Sequence, residues 1–304
     1  MSRYLIHWFP FCSGGLCDRI LGLASSICIA NLLNMQLLIK WDHADLSEAF
    51  TLNRNYNWYF NSIGFRYLDL NNHQLIDYFK RADIITDWSE DNIMLWSNIN
   101  LFHYMRENAF SEHLFENDHI QDLSNAINKI LKEIFIISPE ILSTIPKYNI
   151  GIHIRTGDKQ IYNKENEEYY RNYITETLSK VKNNMVETDL EKSIFISSDC
   201  LLTFEIAKEF FKDFKYNQGC IIHTSGEKDK INKEGLYKVF ADLLTLCNCQ
   251  STLYIGWNSN FSRIASLYNS YRKFICYEYE NKMDKIQECS SETLFSYFSW
   301  GKYT

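Results

Sequence analysis

Tyr148-Asn149-Ile150-Gly151-Ile152-His153-Ile154-Arg155-Thr156-Gly157-Asp158-Lys159 is the stretch on which the fold turns. An apolar run ends abruptly in two cations and an acid set around a glycine. Short apolar runs closed by glycine and charge predict a strand over 148–154 and a polar loop after it. Downstream, the periodicity predicts helices over 167–182, 201–211, 236–247 and 261–269. Between them it predicts strands over 193–198, 220–223 and 252–256. Regular alternation of this kind implies a doubly wound, Rossmann-like domain whose ligand sits beyond the carboxyl ends of its strands.

Upstream, residues 3–9 read as a strand, Ser13-Gly14-Gly15 as a tight turn, and 16–34 as a helix with Ile20, Leu23, Ala24, Ile27, Ala30 and Leu33 at helical spacing. A second strand over 37–41 completes a βαβ unit and hence a parallel sheet. Residues 45–100 are irregular and rich in Asn, Tyr and Trp, with a short strand candidate at Ile84 and Ile85. Trp58, Tyr59 and Trp88 there could stack on sugar rings or belong to the core. Helices are expected over 100–115 and 120–134, the second amphipathic through Leu123, Ala126, Ile127, Ile130 and Leu131. Pro139 and Pro146 bracket a linker, which gives two domains, 1–147 and 148–304.

The 304 residues suit two domains of similar size, and 46% hydrophobic, 15% aromatic and 23% charged residues describe a folded globular chain. A net charge of −7 and a pI near 5.7 exclude nucleic-acid binding through a broad basic surface. The nine cysteines are scattered, odd in number and set in apolar segments, which suits buried thiols in a reducing compartment. Neither Cys12 and Cys17 nor Cys247 and Cys249 have zinc or redox spacing, and His7, His43, His73, His103, His113 and His119, with no carboxylate or second His at metal-binding spacing, read as surface or packing residues. No signal peptide and no apolar run of about 18 residues is found, so a cytoplasmic or otherwise soluble intracellular protein is expected.

Three constellations could carry chemistry. Arg155 can grip a diphosphate through forked, charge-assisted hydrogen bonds, with Lys159 beside it and with Asp158 either orienting it or accepting from a ligand hydroxyl. An ordinary strand-end ion pair between Arg155 and Asp158 explains the same spacing. Asp242 on the helix before strand 252–256, and the turn Trp257-Asn258-Ser259-Asn260-Phe261-Ser262, form the second. Its amides and the hydroxyls of Ser259 or Ser262 suit a phosphate at a helix N-terminus, and a routine cap by Ser259 or Asn260 suits them too. The third is Gly14-Gly15-Leu16-Cys17-Asp18-Arg19, where glycines admit close backbone approach. His223 ends a strand beside Thr224, Ser225 and Gly226 as a candidate wall of the site. No D-x-D occurs, so a carboxylate pair of the kind that anchors a metal–diphosphate is missing from the sequence.

Together these stretches resemble the fucosyltransferase superfamily that contains the α-1,6-fucosyltransferases, the nodulation-type enzymes and the protein O-fucosyltransferases. His153-Ile154-Arg155 is similar to that family's H-x-R motif, which implies that Arg155 holds the donor β-phosphate and that His153 lies by the guanine. Ser197-Ser198-Asp199 resembles the second motif, implying that Asp199 reaches the nucleotide. Asp242 and the Ser259 turn resemble the third, implying guanine recognition and phosphate binding. Gly14, Gly15, Asp18 and Arg19 resemble the N-terminal glycine loop facing acceptor and donor phosphates.

The resemblance implies a GT-B-type fold, two facing Rossmann-like domains with a central cleft. The first would be the acceptor side, and the second would bind the GDP-sugar, its last helix packing back on the first. It implies inverting, metal-independent transfer of fucose from GDP-β-L-fucose to a glycan or protein hydroxyl, with no cofactor beyond the donor. Where the α-1,6 branch carries a carboxylate after H-x-R, this chain has Asn163; Glu165, Glu167 and Glu168 are displaced, and Asp18 is the other candidate base. A transferase using another GDP-sugar, or a non-catalytic GDP- or glycan-binding module, would share the same motifs.

Overall fold

A computed structural model describes residues 3–9, 15–42, 46–61, 68–70, 92–95, 119–156, 167–222, 232–256, 259–268, 273–277 and 287–289. The chain divides after Ser138 into two compact units. The strand candidate at Ile84 and Ile85 and the helix expected over 100–115 lie outside the described residues.

In the first unit β1 (Tyr4–Phe9), α1 (Leu16–Leu32) and β2 (Gln36–Trp41) form the expected βαβ, with β1 and β2 parallel from Tyr4 beside Gln36 to Phe9 beside Trp41. β3 (Phe50–Leu52), the single turn α2 (Trp58–Asn61), β4 (Leu68–Leu70) and β5 (Asn92–Leu95) follow. The parallel sheet runs β2-β1-β5-β4. α1 is buried on nearly every side, so its apolar residues recur more densely than on a surface helix. It ends where Asn34 takes a left-handed conformation, φ 52°, and turns the chain into β2. α3 (His119–Lys129) buries Leu123, Ala126 and Ile127, and a π-helical turn, Ile130–Ile134, delivers the chain directly into β6 (Phe135–Ile137), which pairs antiparallel with β3. Phe50 and Phe135 stack there at 4.0 Å, with Trp41 edge-on to both.

The second unit opens with α4 (Pro139–Leu142), a helical turn in the segment expected to be linker, because Pro139 fits a first helical turn. β7 (Ile150–Ile154), α5 (Glu167–Asn184), α6 (Glu187–Leu190), β8 (Ile194–Ser198) and α7 (Leu201–Phe210) come next. They are followed by α8 (Lys233–Asn248), β9 (Thr252–Gly256), α9 (Asn260–Tyr268), β10 (Lys273–Tyr277) and β11 (Gln287–Cys289). The sheet runs β11-β10-β9-β7-β8 and is parallel except for β11 at its edge.

β7 lies between β9 and β8 and is buried along its whole length, as an apolar run without alternation requires. Ile150, Ile152 and Ile154 pack with Ile174, Leu178 and Val181 of α5 and Phe204 and Ile206 of α7. Fully burying each such side chain stabilises by about 1.5–3 kcal/mol. Gly151 is where this packing is tightest: a Cβ there would meet Leu253 Cδ2 at 2.6 Å and Cys249 Sγ at 2.8 Å.

The strand expected over 220–223 does not form at Cys220–Ile222, and His223 lies outside the described residues. The bridge to β8 is made instead by Lys215, whose N–H donates to Ile194 O and whose carbonyl accepts from Ile196 N. Ile222 is spent on packing against Gly235, where a Cβ would approach Ile222 Cγ2 to 2.4 Å. β10 and β11 extend the sheet beyond the elements predicted. Phe274-Ile275-Cys276 is the apolar run that marks β10 in the sequence.

Candidate functional site

In the second unit the strand order reverses at β7, with β8 on one side and β9 on the other. The carboxyl ends of β7 and β9 lie side by side there, and such switch points are where ligands bind open parallel sheets. The sequence places His153, Arg155 and Thr156 at one of those ends and the Ser259 turn at the other.

His153 is 5% exposed, and its Nδ1 lies 2.7 Å from Ser262 Oγ, 109 residues away in sequence. Its ring stacks on Phe261 at 5.1 Å. Burial, with the positive charges of Arg155 and Lys238, lowers the imidazole pKa to about 3. His153 is therefore neutral at ordinary pH, a rigid polar wall and not a proton carrier.

Ser259 stands one residue before α9, and its carbonyl accepts the Arg263 N–H at 3.1 Å, the first bond of the helix. Its side chain does not cap. Ser259 is 1% exposed and its Oγ has no hydrogen-bond partner among the described residues. The routine-cap reading thus fails for Ser259; Asn260, the first residue of α9, accepts on its Oδ1 from Arg263 Nη1 at 2.7 Å. A buried hydroxyl without a partner costs about 1–3 kcal/mol. Here it sits where helix amides and the helix dipole favour an anion.

Arg155 is half-buried, and its carbonyl accepts the Tyr173 hydroxyl at 3.2 Å. Thr156 next to it donates its N–H and hydroxyl to Asp199 Oδ1 at 2.8 and 2.9 Å. Asp199 thereby fixes the chain as it leaves β7. Burial raises the Tyr173 phenol to about 12, so it remains a donor.

Asp242 is 4% exposed, deep in α8. Lys238 and Ser197 donate to its Oδ2 at 2.6 and 3.0 Å, and Asn217 donates to Oδ1 at 2.8 Å. Burial raises its pKa, while Lys238, Asn217 and Ser197 oppose that by holding the carboxylate form. The network ties α8 to β8 and to the 217 segment. Lys238, Asn217 and Thr156 are partners that the motif reading overlooked. Lys238 was accessible as an i, i+4 partner of Asp242 on one helix face.

In the first unit Gly15 precedes α1 and donates its N–H to Asp18 Oδ2 at 3.0 Å, so the Asp18 carboxylate closes the first turn of that helix. Arg19 is buried, 2% exposed, with its guanidinium 5.4 Å from the Trp41 ring. The structure therefore gathers His153, Arg155, Asp199, Ser259, Asn260 and Ser262 at one sheet end, with Asp242 in the adjoining buried network. Gly14, Asp158, Lys159, Glu165 and His223 lie outside the described residues. Among the described residues no three His, Cys, Asp or Glu side chains are placed to hold a metal, and no helix is long and apolar enough to cross a membrane.

The fold is the mixed α/β class with parallel sheets to which fucosyltransferase structures belong. By sequence, no family model and no curated protein matches the chain. By structure it is similar to a mutant of Arabidopsis thaliana FUT1 in complex with GDP, with a TM-score of 0.63 and 14% identity over 96% of this chain and 74% of that one. The NodZ α-1,6-fucosyltransferase soaked with GDP-fucose is similar at a TM-score of 0.62 and 14% identity, over 95% of this chain and 99% of that one. Fucosyltransferase NodZ from Bradyrhizobium gives a TM-score of 0.60 over the same shares. The mixed α/β fold with parallel sheets is thus shared with these fucosyltransferase structures.

Proposed function

We propose that this chain is an inverting, metal-independent glycosyltransferase of GT-B type that transfers fucose from GDP-β-L-fucose to a glycan or protein hydroxyl. The observation that carries the reading is the buried, unpartnered Ser259 hydroxyl at the start of α9, across the switch point from Arg155. A diphosphate supplies the acceptor oxygen that the Ser259 hydroxyl lacks, and its other oxygens suit a guanidinium fork such as that of Arg155. The shared fold supports it, because the FUT1 and NodZ structures hold GDP or were soaked with GDP-fucose.

In this reading the acceptor oxygen attacks the anomeric carbon opposite the diphosphate. The carbon–oxygen bond to the β-phosphate breaks, and its electron pair leaves with GDP. Arg155, the α9 amides and Ser259 stabilise the charge that develops there. Charged side chains fill the place of a metal, consistent with the absence of D-x-D from the sequence. His153, fixed by Ser262, forms a wall by the guanine. The acceptor proton passes to a carboxylate, for which the sequence offers Glu165 and Asp18.

Isothermal titration of GDP and GDP-fucose with EDTA present tests this on wild type, Arg155→Ala and Ser259→Ala. Wild type should bind without metal. Ser259→Ala should weaken binding about tenfold and Arg155→Ala about 10- to 100-fold, as expected for a neutral and a charge-assisted contact. A well-folded wild type that binds neither ligand overturns the reading.

A further inference from the structure

The first unit carries a second cluster at the carboxyl ends of its strands, built on Asp42, the residue after β2. Its N–H donates to Phe9 O at 3.3 Å, so the backbone pairing of β1 and β2 continues through it. Its carboxylate accepts the Trp8 indole N–H on Oδ2 and the Tyr59 hydroxyl on Oδ1. Lys40 Nζ lies 3.7 Å from Oδ2 and 4.8 Å over the Trp8 ring. Three residues from three elements, Trp8, Lys40 and Tyr59, therefore converge on one carboxylate whose side chain is 28% exposed.

α2 presents Tyr59. Asn57 bridges to Ile39 of β2, and its Oδ1 accepts the Tyr59 N–H at 2.9 Å, which starts the turn. Trp58 turns inward against Ile6, Leu38 and Met94, while Tyr59 stays 57% exposed with its hydroxyl anchored at Asp42. Phe60 is 64% exposed and turned instead to Arg54, whose guanidinium lies 5.3 Å from its ring.

An exposed aromatic face held by its own hydroxyl is a rigid platform, since the anchored side chain has little rotamer freedom left to lose. A carboxylate offers about four acceptor sites, so Asp42 retains capacity after Trp8 and Tyr59 have donated to it. Lys40 supplies donors alongside. An acceptor and a donor adjacent to an aromatic face match a pyranose ring, whose polarised C–H face packs on the ring while neighbouring hydroxyls donate and accept. Because Asp42 and Lys40 neutralise each other, the cluster favours a neutral ligand over a charged one.

We propose that Tyr59, Asp42 and Lys40 form a subsite for a pyranose unit of a neutral oligosaccharide. Its naming as the acceptor side rests on the proposed transfer; its binding of sugar does not. The ligand class follows from the ring, the carboxylate and the ammonium together. None of the three is part of the GDP-binding machinery assigned to the second unit.

Isothermal titration of cellotetraose, mannotetraose, xylotetraose and N-acetylchitotetraose into the full chain, without donor, tests the subsite. Wild type should bind at least one of them, Tyr59→Ala and Asp42→Asn should each lose at least tenfold in affinity, and Phe60→Ala should match wild type. Circular dichroism and the thermal midpoint identify any variant that has not folded, and Tyr59→Phe, which keeps the ring but not its anchor, then takes its place with a smaller expected loss. Binding to no oligosaccharide, or equal binding by Tyr59→Ala and wild type, overturns the subsite. GDP titrated in parallel separates the two ideas. Sugar binding without GDP binding upholds the subsite and removes the transfer, and GDP binding without sugar binding does the reverse.

Discussion

Replacing Lys238 with methionine leaves the Asp242 carboxylate buried without its cation. The two side chains are 4% and 6% exposed and 2.6 Å apart, so solvent screens the pair little. Removing one partner of such a pair costs about 3–5 kcal/mol. Ser197 and Asn217 still donate to Asp242, which puts the expected loss near the lower end, about 3 kcal/mol. For a unit of this size each kcal/mol moves the thermal midpoint by about 2–4 °C, so a fall of roughly 6–12 °C is expected at pH 7.

The sign of the pH dependence follows from burial raising the Asp242 pKa, which loss of Lys238 reinforces. With the folded pKa above the unfolded one, stability from this group is present at low pH and is lost as pH rises through the folded value. The variant should therefore recover part of its deficit when the pH is lowered from 7 to 5. Adding Asp242→Asn, which keeps an acceptor for Asn217 or Ser197, should restore most of the loss at pH 7. The assay is denaturant and thermal unfolding of the single and double variants at both pH values. A Lys238→Met protein within about 0.5 kcal/mol of wild type at pH 7 refutes the reasoning, because ordinary surface substitutions fall in that range.

Asp199→Ala should free Thr156 and the chain after β7 and weaken GDP about tenfold or more, whereas Asp199→Asn, which retains an accepting oxygen, should stay near wild type; titration of both checks this. His153, with its pKa lowered to about 3, binds a proton in the unfolded chain before the folded one. Stability should therefore fall as pH drops below about 6.5, by about 1.4 kcal/mol per unit, and His153→Gln should flatten that slope in unfolding curves at pH 4–7. Gly235→Ala should cost about 1–3 kcal/mol through its clash with Ile222, and adding Ile222→Ala should return part of the lost thermal midpoint. Ser262→Ala should cost about 1 kcal/mol by removing the partner of His153, whereas Ser259→Ala should cost nothing in unfolding; equal losses would show that Ser259 is structural.

Local pattern determined much of this protein. The apolar run of β7, the helical spacing in α1 and α8 and the strand at 252–256 were legible because burial of one face or one strand imposes a period on the sequence. The H-x-R stretch and the Ser259 turn were legible for a related reason: polar groups abutting the end of an apolar strand must leave the sheet where its ligands bind. The tertiary structure alone decided which of these groups meet. His153 finds Ser262 across 109 residues, Thr156 finds Asp199 across 43, and Ser197 finds Asp242 across 45. Those pairings depend on the order β8-β7-β9, which local periodicity does not encode. Lys215 makes the bridge beside β8 and Ile222 packs on Gly235 where a strand over 220–223 was expected, contacts invisible to propensity. Whether Ser259 caps its helix was equally a matter of geometry, since the same serine before the same helix can turn its hydroxyl to the helix amides or, as here, leave it buried and unpaired.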